Sequence, residues 1–201
     1  MILKEIDLRS ILSDYGPERT QKVLSCFLCK KNSEVEDFIQ HKAIDHELRR
    51  LAKTILVFDE ENGIRIVGFY SVSIKSIILN DKLNSTKKKK LFGSSQTDGN
   101  VIPAILIGQL GKNDAVKTDF KGSDLIDLVF NYIYEADKYL PSMVSYVEHN
   151  GSDSLVKFYE KQGFIYFERR FEEHTKGLYC HMIKTKDIVS MVEKSRGIEI
   201  I

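Results

Sequence analysis

Apolar positions recur at helical spacing through about the first forty residues. In "PERTQKVLSCFL" the residues Val23, Leu24, Phe27 and Leu28 share one side, and Pro17 suits a first helical turn. In "SEVEDFIQHKAIDHELRRLAK" the same spacing links Val35, Phe38, Ile39 and Ala43, and Ser33 with Glu36 fits a capping box. The period then changes. "TILVFDEENGIRIVGFYSVSIKSIIL" holds two β-rich runs around Asn62-Gly63, a strong hairpin signal.

Polar residues dominate about 80-100, including the four lysines Lys87 to Lys90, and predict a long loop. "VIPAILIGQL" follows, with Ile105 and Ile107 on one face and Ala104 and Leu106 on the other, as a central strand covered on both sides requires. Residues Ser123 to Tyr139 form a helical stripe of Leu125, Val129, Tyr132, Ile133 and Ala136. "SMVSYVEHN" reads as a strand, "SLVKFYEKQ" as a short helix, and "FIYFERRF" and "LYCHMIKTK" as strands. A last helix is predicted from Asp187 to Ser195, where Ile188, Val189 and Val192 cap the core or meet a second copy in a homodimer. The order predicts one α/β domain over 1-201, a mixed sheet with helices on both faces.

Composition narrows the function classes. A net charge of +1 on 201 residues offers no global field for nucleic acid. "MILKEIDLRSILSDYG" is too charged for a signal peptide, and no apolar run reaches membrane-spanning length, so a soluble cytoplasmic protein is expected. The three cysteines are too few for a disulfide framework. Cys26 and Cys29 have the spacing of half a zinc site or a redox pair, with only Cys180-His181 in reserve. Their apolar helical setting points instead to buried structural thiols, and no metal is expected. His41 and His46 are five apart, share no helix face, and are expected in solvent.

"IPAILIGQL", "KTDFKGSDLIDLVFNYI", "SMVSYVEHN" and "FYEKQGF" follow one another in the order of the GNAT superfamily of acyl-CoA N-acyltransferases, which the chain resembles from about Val101 to Arg170. Phe158 to Phe164 is the most specific piece. "FLC", "VEDF", Ala43 and "IRIVGFYSVS" are similar to the toxin-like acetyltransferase branch. The resemblance implies a mixed, largely antiparallel sheet and acetyl-CoA as co-substrate. It implies that Ile107, Gly108, Gln109 and Leu110 offer backbone groups to the pantetheine and the oxyanion. Lys117, Lys121, Gly122, Ser123 and Asp124 would hold the diphosphate.

One departure stands out. The family's turn has the pattern Arg/Gln-x-x-Gly-x-Gly/Ala, whereas Lys121 to Ile126 has a single glycine, and Asp124 and Asp127 add negative charge. For catalysis the resemblance implies Tyr159 as the acid that protonates the leaving thiolate; a core tyrosine is the alternative, with Phe158 in the core beside it. Glu148 or His149, at a strand end, could take the amine proton, Glu148 being preferred. The branch implies an antitoxin partner and an aminoacyl-tRNA acceptor, which Lys87 to Lys90 would attract, whereas a housekeeping or resistance-type enzyme would take a small amine or a protein N-terminus or lysine. A catalytically inactive GNAT-like binding module remains the alternative.

Overall fold

The computed structural model describes residues 1–61, 65–78, 92, 101–170 and 177–198. The Asn62-Gly63 hairpin signal and the lysines Lys87 to Lys90 lie outside the described residues, as does all of the polar 80–100 stretch except Phe92. Strands β1 (Leu3–Asp7), β2 (Lys53–Asp59), β3 (Arg65–Ile78), β4 (Val101–Lys112), β5 (Val144–His149), β6 (Ile165–Arg170) and β7 (Leu178–Lys184) make one sheet. Their order is β1-β2-β3-β4-β5-β7-β6. The pairs β1-β2, β2-β3, β5-β7 and β6-β7 are antiparallel, in keeping with the expected α/β class. The helices are α1 (Leu8–Leu24), α2 (Ser33–Asp37), α3 (Ala43–Leu48), α4 (Gly122–Asp137), α5 (Asp153–Lys161) and α6 (Thr185–Ser195). No helix among the described residues is long and apolar enough to cross a membrane.

The chain divides into two compact units, Met1–Ser73 with Ile107–Asp127, and Ile74–Leu106 with Leu128–Ile201. In the first, helical structure starts later than the sequence suggests. Leu3–Asp7 is a strand paired with β2, and Asp7 ends it by accepting the Ser10 N–H at 3.2 Å, which caps α1. Gly16, at φ 74, kinks α1, and Pro17 restarts it where its missing N–H costs little. The expected cap of α2 moves back one residue: Asn32 accepts from Glu34 and Val35, while Glu36 accepts the Cys29 N–H at 2.6 Å. A π-helical turn, Phe38–Lys42, joins α2 to α3. Leu24, Phe27, Val35, Phe38, Ile39, Leu56 and Phe69 form the core here. Val23 and Leu28 are exposed, so only half of the first predicted stripe is buried.

In the second unit β7 lies between β5 and β6. Its register sets Cys180 opposite Glu148, and His181 opposite Val147 and Tyr166. One face of these strands carries a core of Ile77, Ile102, Ala104, Val144, Tyr146, Phe167, Cys180 and Met182. Side chains alternate across a strand, so Val147, His149 and His181 belong to the other face. Helix α6 starts two residues before the predicted Asp187 and buries Ile188 and Val192. Just past its end, Arg196 donates to Glu135 and Asn131 of α4 at 2.9 and 2.8 Å.

Candidate active site

The local geometry of "FYEKQGF" explains why those residue types occur together. Helix α5 stops on Gly163, whose φ of +89 suits glycine. The Gly163 N–H bonds the Glu160 carbonyl at 3.0 Å, and the Phe164 N–H bonds the Tyr159 carbonyl at 3.1 Å. This is a complete Schellman stop with Tyr159 as its third residue from the end. The hydrophobic contact that accompanies such a stop is also present: the Tyr159 and Phe164 rings meet edge to face at 5.6 Å. Helix end, aromatic strand start and tyrosine ring are therefore fixed as one unit.

Tyr159 is 5 % exposed, and burial pushes its phenol well above the ordinary range, so it is held as a neutral donor. Phe158, expected in the core, is only half-buried, and Tyr159 is the buried one of the two.

His149 is the neighbour that matters most to Tyr159. Their rings stack with centroids 5.2 Å apart and planes 28° apart, and on Tyr179 the same imidazole stacks at 6.2 Å and 21°. Although it lies at a strand end, His149 is only 7 % exposed. The turn after β5 folds back over it. Gly151, at φ +76, donates its N–H to His149 Nδ1 at 3.1 Å. A Cβ at position 151 would lie 2.2 Å from the Tyr179 ring, so only glycine fits there. On its other side His149 Nε2 lies 3.0 Å from His181 Nδ1. With its lone pair occupied and its basicity lowered to about 4, by burial first and the His181 charge second, His149 is a poor acceptor for an amine proton. Glu148, half-buried, points to the opposite face of β5 from His149 and Tyr159.

In the first unit β4 continues through both glycines of "LIGQLGK" to Lys112, so neither marks the end of the strand. Ile107 is fully buried, whereas Gly108, Gln109 and Leu110 are half-buried. The Gln109 N–H goes to the Ser71 hydroxyl at 2.8 Å, and a Cβ at Gly108 would come within 3.0 Å of the same oxygen. At Gly111 a Cβ would meet Val35 at 2.6 Å, which makes that residue a packing glycine.

Helix α4 starts at Gly122, one residue earlier than predicted, and its first turn is partly closed by its own side chain. Asp124 accepts the Lys121 N–H at 2.8 Å and receives the Ser123 hydroxyl at 3.3 Å. Burial and the Asp124 charge raise the Asp127 carboxyl above its usual range. Lys117 lines a cavity of about 660 Å³ with Arg65, Lys112, Asp59, Asp114 and Asp119, a wall of mixed charge.

Neither Cys26 nor Cys29 is buried as expected: Cys26 is exposed and Cys29 half-buried, while Cys180 is buried. No group of three or more metal-ligating side chains occurs among the described residues. His41 is exposed as expected, but His46 is half-buried, edge-on to Phe38 at 5.3 Å.

No protein-family model matches the chain, and no curated protein matches it in sequence. Solved structures do match. A bacterial toxin superposes with a TM-score of 0.70 at 15 % identity over 96 % of both chains. AtaT complexed with acetyl-methionyl-tRNAfMet gives 0.64 at 15 % identity, over 94 % of this chain and 99 % of the other. A tyrosine-to-phenylalanine mutant of the AtaT toxin, bound to the C-terminus of the antitoxin AtaR and acetyl-CoA, gives 0.62 at 14 %, over 94 % and 97 %. The chain has the fold of these toxins. It is the mixed α/β fold that the order of motifs implies, and at such identities the likeness extends to the fold.

Proposed function

We propose that this protein is an N-acetyltransferase that moves an acetyl group from acetyl-CoA to a primary amine, with the amino group of an aminoacyl-tRNA as the acceptor class. The observation that carries this reading is Tyr159, a buried neutral phenol locked by a Schellman stop, in a chain that shares its fold with a toxin solved with acetyl-CoA and with acetyl-methionyl-tRNAfMet. The acetyl thioester supplies an activated carbonyl carbon. The amine attacks it, the C–S bond breaks, and the Tyr159 hydroxyl gives its proton to the departing sulfur. Burial makes the Tyr159 phenol a weaker acid, and a thiolate in the same surroundings is made a stronger base, so the two effects offset each other in the transfer.

The remaining roles are those the resemblance implies. Ile107, Gly108, Gln109 and Leu110 hold the pantetheine arm, and the Leu110 N–H takes the oxyanion. Gly122, Ser123 and Asp124 amides with Lys117 and Lys121 hold the diphosphate, and the amine proton passes to water, since Glu148 faces away from Tyr159 across β5. The cytoplasm, where charged tRNA is found, is the matching compartment. An antitoxin-like protein, and a second copy of the chain in a homodimer, are the proposed partners. Lys87 to Lys90 are proposed to attract the tRNA backbone.

A second reading, an inactive GNAT-like binding module, draws support from Asp124, which already occupies one N–H of the diphosphate turn. Calorimetric titration with acetyl-CoA, followed by acetyl transfer to a panel of charged tRNAs, separates the two. Saturable binding with transfer supports the enzyme. Absence of binding removes it and leaves the module.

A further inference from the structure

The hydrogen bonds around His149 dictate a single arrangement of protons. Because Gly151 N–H points at Nδ1, the neutral ring carries its proton on Nε2. That proton is donated to His181 Nδ1, so the His181 proton sits on its own Nε2. This last atom is fully buried and has no hydrogen-bond partner among the described residues. The chain thus runs in one direction, from Gly151 through two imidazoles to an unsatisfied donor.

As packing alone, this is a poor design. Two aromatic apolar side chains would fill the same face without burying an unsatisfied N–H, and such groups are rare in native interiors unless they serve a purpose. What the chain does achieve is orientation. His181 and Gly151 fix the plane of His149 from its two nitrogens, and that plane is stacked on Tyr159 on a face where Tyr179 and Gly151 complete the wall.

We propose that His149 is a positioning residue for Tyr159, with His181 as the second member that fixes its plane and tautomer. The inference rests on the acyltransferase reading of Tyr159 and goes beyond it in assigning the two histidines. His149 does not exchange a proton with substrate. It holds the ring whose hydroxyl does. Among the described residues the ionisable groups around the pair are Tyr159 and Glu160 on α5, Tyr179 on β7, Tyr166 on β6, and Glu148 on the far face of β5. Glu160 favours the charged form of His181, but burial outweighs it. Burial likewise holds His149 neutral, with the His181 charge acting in the same direction, so the pair stays neutral at neutral pH.

The test compares wild type with His149→Phe, His149→Gln and His181→Phe, each also in a Tyr159→Phe background, using acetyl-CoA and charged tRNA. His149→Phe keeps a ring but loses both hydrogen bonds; kcat is expected to fall about ten- to a hundredfold with KM for acetyl-CoA unchanged. His149→Gln, which can still donate toward His181, is expected to recover part of that loss. His181→Phe removes one unsatisfied donor but leaves the His149 Nε2–H without its acceptor, so Tm is expected to stay near that of wild type while kcat falls. In the Tyr159→Phe background none of the three should have a further effect. A ¹³C-tyrosine NMR signal assigned to Tyr159 is expected to shift in His149→Phe, a readout independent of turnover. Unchanged kcat in a folded His149→Phe or His181→Phe protein, or equal losses in both backgrounds, would overturn the inference alone. No turnover by wild type would overturn the acyltransferase reading and this inference with it.

Discussion

The start of α4 and the end of α5 are both helix termini placed where the resemblance expects chemistry, and they solve their unpaired backbone groups in opposite ways. At the end of α5 the glycine and the aromatic that follow close the terminal carbonyls with backbone N–H groups, leaving the Tyr159 side chain uncommitted to capping. At the start of α4 a side chain does the closing: Asp124 takes the Lys121 N–H and brings a negative charge to the place a diphosphate would occupy. The first terminus is finished in a way that leaves the proposed acid, Tyr159, free of capping. The second is finished in a way that would compete with the proposed diphosphate, so under the proposed function coenzyme affinity is where this chain should be weakest.

The largest expected effect is at the α5 terminus. Tyr159→Phe keeps the ring and the stop but removes the proton, and should lower kcat by about 10²–10⁴ while leaving acetyl-CoA binding intact, as steady-state kinetics beside calorimetry would show. Next comes acid stability. His149 in the folded chain stays neutral down to about pH 4, whereas the unfolded chain protonates near 6.5. The unfolded state therefore binds more protons within that window, and stability falls as pH drops from 6.5 to 4, by roughly 3 kcal/mol from this residue. The depressed basicity of His181 acts in the same direction. Denaturant unfolding at several pH values measures the slope, and His149→Phe should flatten it.

Gly163→Ala should cost roughly 1–3 kcal/mol, because φ is +89 and the new Cβ would stand 2.9 Å from Met191. A thermal melt should show a drop of about 2–4 °C per kcal/mol. The smallest effect belongs to the α4 terminus: Asp124→Asn keeps an acceptor for Lys121 but removes the charge, and should tighten acetyl-CoA binding about two- to fivefold. An unchanged or weaker affinity would mean that the two termini do not differ in the way described.

Where periodicity was strong, the sequence was legible. Leu125, Val129 and Ile133 on α4 and Ala104 and Ile107 on β4 are buried as their spacing demands. β1 was missed because Leu3–Asp7 is a five-residue strand, mostly polar, that runs directly into a helix and offers no two-residue alternation to read. Tyr159 could be singled out because its glycine and phenylalanine lie within five residues. His149 could not: its partner His181 is 32 positions away, and the turn that buries it depends on a positive φ at Gly151 that no neighbouring residue announces. The exposure of Cys26 has a similar origin, since only the Phe27 side of that helix end faces the core.

The central claim is most directly tested by following release of the free coenzyme A thiol from acetyl-CoA in the presence of charged tRNA, for wild type and Tyr159→Phe side by side. Thiol release by wild type that is at least about a hundredfold slower in the variant, with equal acetyl-CoA affinity, is the expected result. Equal rates in the two proteins would contradict the role given to Tyr159, and no release by either would contradict the enzyme itself.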